Sequence, residues 1–148
     1  MTRKKPVSVL VVIHSPDLQI LLLERAAHPG YWQSVTGNQE GEEALIDTAV
    51  REVGEETGIV VTADHVVDWQ QINTYEIFPE WRHRYAPGIT QNTEHVFSLE
   101  VPRDTPIRIA PGEHLNHGWL PLEEAAAKVF SWSNRDAILA LRDKHASR

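Results

Sequence analysis

Hydrophobic and polar positions along the chain divide it into alternating extended and helical stretches. Val7 to Ile13 is β-branched and nearly continuous in apolar residues, the pattern of a strand buried on both faces. Ser15-Pro16-Asp17 reads as a turn, and Ile20 to Leu23 as a second buried strand, so the two predict a hairpin. A loop over residues 26 to 30 and a short strand over residues 32 to 36 follow. From residue 44 to 57 the period changes. At about 100° per residue, Leu45, Ile46, Ala49, Val50 and Val53 fall on one arc, and Gly58 suits a left-handed helix end. Gly54 lies inside that helix, where close packing is the one reason foreseen for it.

Beyond the helix, residues 66 to 78 read as extended and residues 79 to 88 as a loop rich in basic and aromatic side chains, Arg82, His83 and Arg84 among them. Residues 94 to 101 predict a strand. Residues 102 to 112 predict a connection around a short strand at Ile107 to Ile109, and residues 117 to 120 a last strand. A helix opens with Pro121 at its first position, and a final one runs to about Lys144, capped by Ser133 or Asn134 and anchored by Trp132 and Asn134. No repeat or composition break appears, so residues 1–148 are read as one domain.

Composition narrows the classes. With 14 Lys and Arg against 21 Asp and Glu the net charge is −7, which argues against a general nucleic-acid binder. No apolar run approaches the roughly 20 residues of a membrane span, and no secretory leader is recognised. The absence of cysteine removes disulfides, thiolate metal sites and thiol nucleophiles, and fits a cytoplasmic setting.

The charge is concentrated. Residues 37 to 59 hold seven acids and a single base, Arg51, so almost all the excess lies there. On a helical wheel Glu52, Glu55 and Glu56 share about 100° of one face. Carboxylates so close repel one another unless a cation binds among them, and hard divalent ions are held by oxygen ligands of this kind. A solvated acidic helix face is the commoner reading of such a cluster.

The spacing decides between the two. Gly37, Glu43, Arg51, Glu52, Val53, Glu55, Glu56, Gly58 and Ile59 follow the pattern G-x5-E-x7-R-E-U-x-E-E-x-G-U, where U is aliphatic. Every fixed position of the Nudix box is matched, so the chain resembles the Nudix hydrolases. That resemblance implies an α/β (α+β) fold, an α/β/α sandwich with a mixed sheet and a loop–helix–loop catalytic box. It also implies Mg²⁺, with Mn²⁺ as the alternative, held by Glu52, Glu55 and Glu56. Arg51 would pair with Glu43 to brace the loop, while Gly37 and Gly41 would allow backbone turns.

The resemblance extends to the flanks: Trp32-Gln-Ser-Val-Thr-Gly37, Glu76-Ile-Phe78, Arg82 to Gly88, Asn92-Thr-Glu94, Glu113-His-Leu115 and Ser131 to Arg135. These look like the branch of the family that cleaves 7,8-dihydroneopterin 3′-triphosphate to the monophosphate and pyrophosphate. The likeness implies substrate contacts at Lys4, Arg25, Thr36, Tyr75, Glu76, Ile77, Phe78 and Ser131. It also implies an extra carboxylate, Glu113, as a further metal ligand or general base. A nucleotide pyrophosphatase acting on dATP or damaged nucleotides is the alternative. His114 and His117, two histidines with no third ligand, are read as structural or solvent-facing.

Overall fold

The computed structural model describes residues 3–146. Its strands are β1 (Val7–His14), β2 (Gln19–Arg25), β3 (Trp32–Gln33), β4 (Val35–Asn38), β5 (Val66–Glu76), β6 (Gln91–Glu100) and β7 (His114–Pro121). The helices are α1 (Leu45–Thr57), α2 (Leu122–Lys128) and α3 (Trp132–Ala146).

The apolar run of β1 explains its central place. Val9, Val11 and Ile13 point to one face, where Ala49 and Val53 of α1 meet them. Leu10 and Val12 point to the other, where Leu122 and Ala125 of α2 and Ile138 and Leu141 of α3 cover them. Side chains alternate across a strand, so a continuous apolar run serves two cores at once. The sheet is mixed and lies between helices, as the Nudix resemblance implied. β1 runs parallel to β6 from Val7↔Thr93 to His14↔Glu100. It runs antiparallel to β4, from Ser8↔Asn38 to Val11↔Val35.

Several expectations are corrected. The hairpin of β1 and β2 is vestigial: the two share the single pair His14↔Ile20, while β2 pairs with β3 and β7. Long apolar strands find their partners by burial, and here β6 and β4 win the edges of β1. Ile107 and Ile109 form no strand; they pack as loop side chains against the α1 core. β7 starts at His114, three residues earlier than foreseen, and Pro121 precedes α2 as its N-cap. β5 ends at Glu76, leaving Ile77 and Phe78 outside it, and Pro79–Arg84 forms a 3₁₀ turn. α3 begins at Trp132, and the Ser131 hydroxyl accepts from the Asn134 N–H at its start. Asn134 does anchor α3: its side chain accepts from the Ser34 N–H and donates to the Ser34 hydroxyl (2.8 and 2.9 Å). Trp132, 46% exposed, meets the Tyr75 ring with centroids 6.5 Å apart and lines the cavity beside the start of α3.

Two glycines also change meaning. A Cβ at Gly54 would make only an ordinary 3.7 Å contact with the Ile59 carbonyl, so nothing in the structure demands glycine there. Gly37 sits in β4 rather than in a turn, and a Cβ on it would lie 2.1 Å from the Glu52 carboxyl carbon. The requirement at Gly37 is space for a carboxylate.

Candidate active site

Glu43, in the loop before α1, and Arg51, on its second turn, hold each other in a fork. Arg51 Nη2 donates to Glu43 Oε1 at 2.7 Å and Nε to Oε2 at 3.2 Å. Glu43 Oε1 also accepts from the Thr48 hydroxyl (2.9 Å) and the Glu40 N–H (2.9 Å). Arg51 Nη2 reaches the Asn38 carbonyl (3.0 Å), tying β4, loop and helix together. The Arg51 guanidinium holds the Glu43 carboxyl down to about 2. This is a braced junction rather than a loose surface pair.

The remaining arm of Arg51, Nη1, donates to Glu52 (2.8 Å) and to Glu55 (3.3 Å). Glu55 is the exposed member of the helical triad, its side chain 55% accessible against 12% for Glu52. Glu56 is buried at 3% exposure. Burial, first of all, pushes the Glu56 carboxyl well above the ordinary range; the neighbouring Glu52 and Glu113 add to this, and the Thr36 N–H pulls back. The Glu52 carboxyl is raised as well, mainly by burial, with Arg51 opposing. Glu52 and Glu56 are neighbouring carboxyls, and Glu56 Oε1 is buried without a hydrogen-bond partner. An acid pair buried at this cost, with one oxygen unsatisfied, fits a hard cation as the missing partner. Among the described residues no three carboxylate or imidazole groups are already gathered as a coordination shell, since Glu55 is turned onto Arg51.

Glu113 lies just before β7, on the wall of the same cavity. His114 is buried, unlike His117, with Nε2 3.6 Å from Glu56 Oε1, too long for a hydrogen bond. Burial, assisted by Arg25, lowers the His114 pKa. His114 therefore packs beside the acid pair as a structural residue, while His117 faces solvent.

A cavity of about 1420 Å³ runs from these carboxylates to the start of α3. Of the substrate contacts foreseen, Lys4, Arg25, Thr36, Tyr75 to Phe78 and Ser131 all line it. Three cations converge on one part. Arg84 is the foremost charged neighbour lowering the pKa of both Lys4 and Arg25, after burial in each case. Arg25 lies over the Trp81 ring at 4.8 Å and the Phe130 ring at 5.9 Å, and Arg84 over Trp81 at 6.0 Å. Arg25 Nη1 donates to the Gln33 side-chain oxygen (3.0 Å), and its Nε is buried without a partner. None of these three cations has a carboxylate at ion-pair distance among the described residues. Arg82 instead turns away, onto Glu76 and the Ile77 carbonyl. Glu76 stays on the cavity wall with its carboxylate 3.7 Å from Arg82, and Phe78 is 41% exposed, its ring tilted by 50° to that of Trp81 with centroids 4.9 Å apart.

Sequence reasoning did not single out Trp81, Phe130 or the buried Glu94 for this cavity. The alternation of β6 carries a signal for Glu94: Asn92, Glu94 and Val96 share a buried face, and Val96 belongs to the core under α3.

A NUDIX domain model matches residues 4–141. The dihydroneopterin triphosphate diphosphatase of Escherichia coli K12 is 47% identical over 138 residues, 91% of either chain. The Haemophilus influenzae protein of the same name is 37% identical over 142 residues, 93% of this chain and 88% of that one. The solved structure of the E. coli dihydroneopterin triphosphate pyrophosphohydrolase superposes with a TM-score of 0.86 at 46% identity, covering 93% of this chain and 95% of that one. The family match spans nearly all the described residues, and the braced box sits where its pattern requires: the chain is a member of the Nudix family of hydrolases.

Proposed function

We propose that this Nudix hydrolase cleaves 7,8-dihydroneopterin 3′-triphosphate to the monophosphate and pyrophosphate, with Mg²⁺ as its working ion. The observation that carries the reading is one cavity with two chemically different ends. A carboxylate cluster beside three cations, none of which has a carboxylate at ion-pair distance among the described residues, suits a triphosphate. A recess of Tyr75, Trp132 and the β6 side chains suits a flat heterocycle. The relatives named above carry this activity in their names.

Nudix hydrolases depend on a divalent metal, and here Glu52, Glu55, Glu56 and Glu113 would hold it. When bound, it neutralises charge developing on the phosphates and makes water a better nucleophile. The chain's own residues do the rest. Lys4, Arg25 and Arg84 bind phosphate oxygens and fix the scissile bridge against α1. Thr36 N–H holds Glu56 in place, and Gly37 leaves room for the Glu52 carboxylate. The fork of Glu43 and Arg51 keeps loop and helix in register. Where Glu113, on an exposed loop, does not ligate the ion, its carboxylate oxygen would instead accept the proton of the attacking water. Tyr75 and Ser131 border the ring end.

Among the described residues no helix is long and apolar enough to cross a membrane. A cytoplasmic site of action fits the cysteine-free composition. The test is competition between the pterin triphosphate and dATP with Mg²⁺, read as kcat/KM. A clear preference for the pterin is expected; a larger kcat/KM for dATP replaces this reading with a nucleotide pyrophosphatase.

A further inference from the structure

We infer that Glu94 is the residue that reads the heterocycle, accepting hydrogen bonds from the paired ring N–H and exocyclic amino group of a 2-aminopyrimidin-4-one. The inference rests on the pterin reading above and names the group within that cavity that would select the ring.

Glu94 is 4% exposed, yet it lines the cavity. One carboxylate oxygen, Oε2, accepts from the Tyr75 hydroxyl at a long 3.3 Å. The other, Oε1, is buried with no hydrogen-bond partner. Two residues earlier on the same strand face, Asn92 spends its amino group on the Ser8 hydroxyl (2.7 Å) and the Tyr75 hydroxyl (3.1 Å). That leaves Asn92 Oδ1 buried and likewise unpartnered. Side chains at i and i+2 project to one side of a strand about 6–7 Å apart. This end of the cavity thus offers a ligand two unpartnered acceptors. The Asn73 amide nitrogen, on the residue paired with Glu94 across β5 and β6, is buried and unpartnered as well and makes no hydrogen bond to either. A buried acceptor left unpaired is costly unless something supplies the donor.

The neighbours of Glu94 in the fold, Ser133, Tyr75 and Asn73, leave Oε1 without a hydrogen bond. Among the described residues Glu94 has no cationic partner, and it stands two residues before Val96 on the same face, where an apolar residue would continue the core under α3. Burial raises its pKa, while Ser133, Tyr75 and Asn73 oppose the rise. The Tyr75 and Trp132 rings lie edge to face with centroids 6.5 Å apart, and both line the cavity with Glu94.

Ring chemistry then selects the ligand. A 2-aminopyrimidin-4-one, as in pterins and guanine, presents a ring N–H and an adjacent amino group in one plane. An ionised carboxylate accepts both side by side. Adenine and cytosine set their amino group beside a ring nitrogen acceptor, which a carboxylate repels. A site of buried acceptors discriminates strongly, because the wrong ligand leaves them unpaired.

The experiment uses the Mg²⁺-loaded enzyme turning over dihydroneopterin triphosphate, with GTP and ITP as competitive inhibitors. These two differ only by the 2-amino group. Absence of turnover by the wild type removes the pterin reading itself. With turnover present, GTP is expected to inhibit with a Ki at least about 10-fold below that of ITP, the scale of one bidentate base contact. Equal constants, or no inhibition by GTP, overturn the assignment without any variant. In Glu94→Gln the two constants are expected to converge, and KM for the pterin to rise about 10- to 100-fold, with the change in KM exceeding that in kcat. A Glu94→Gln enzyme that keeps the wild-type ratio of GTP to ITP, or that loses kcat at unchanged KM, makes Glu94 structural and overturns it.

Discussion

Gly37→Ala isolates the contribution of one carboxylate's position. Gly37 has no positive φ, so alanine brings no backbone strain. Its Cβ, however, would lie 2.1 Å from Glu52 Cδ and 2.4 Å from both Glu52 oxygens. An unstrained contact needs about 3.5 Å, so the carboxylate must retreat by more than 1 Å, roughly. The intruding atom meets the end of a flexible side chain, so the fold can yield. What is lost is the 2.8 Å contact of Glu52 with Arg51, worth less than about 1 kcal/mol when part-exposed. Alanine in place of glycine within a strand returns about 0.5–1 kcal/mol. The midpoint of thermal unfolding should therefore move by no more than a few degrees, roughly. Activity should not follow, because a misplacement of about 1 Å in a group that organises the reaction costs on the order of 10²-fold. The assay pairs thermal unfolding with steady-state kinetics under saturating Mg²⁺. A variant with kcat close to that of the wild type would refute the reasoning, since Glu52 would then do its work from another position.

The remaining expectations are more compact. Glu43→Gln should show a pH-dependent stability deficit. Its folded pKa is depressed from 4.5 to about 2, so the stabilisation is present above the unfolded value and is lost as pH falls from there through about 2. After allowance for a part-exposed pair, about 1–2 kcal/mol should separate wild type and variant in urea at pH 7, and almost nothing near pH 2. A gap constant with pH would contradict this. Arg25→Gln should raise KM for the triphosphate by about 10-fold or more, the scale of a charged hydrogen bond, and Arg84→Gln should act in the same direction. Unchanged KM in both places the phosphates elsewhere. Mg²⁺ at about 100 times its dissociation constant should raise the wild-type unfolding midpoint by about 5–10 °C, and that of Glu56→Gln by much less. Equal shifts would remove Glu56 from the ion's ligands.

The legible parts of the chain were those in which local pattern and tertiary demand coincide. The double-faced apolar run of β1, the arc of α1 and the spacing from Gly37 to Ile59 each had one reading, and the structure keeps them. The fork of Arg51 and Glu43 follows from a loop closing onto its own helix. Sheet pairing was less legible, because β1 and β6 are more than 80 residues apart and nothing local to either encodes a parallel partner. The short turn after His14 favours a hairpin, and burial overrides it. Gly37 was assigned to a turn because a glycine's need for space cannot be told from its need for backbone freedom until Glu52 is seen against it. Glu94 and the stack of Arg25 on Trp81 and Phe130 come from segments far apart in sequence. Only the folded chain brings the cation and its rings to one cavity wall.

The most direct test of the central claim is the product pattern. Purified protein with Mg²⁺ and 7,8-dihydroneopterin 3′-triphosphate, followed by ³¹P NMR beside a Glu56→Gln control, should give pyrophosphate and the pterin monophosphate in equal amounts, with the control slower by about 10²-fold or more. Release of orthophosphate in place of pyrophosphate, or cleavage at the same rate in the control, would contradict it.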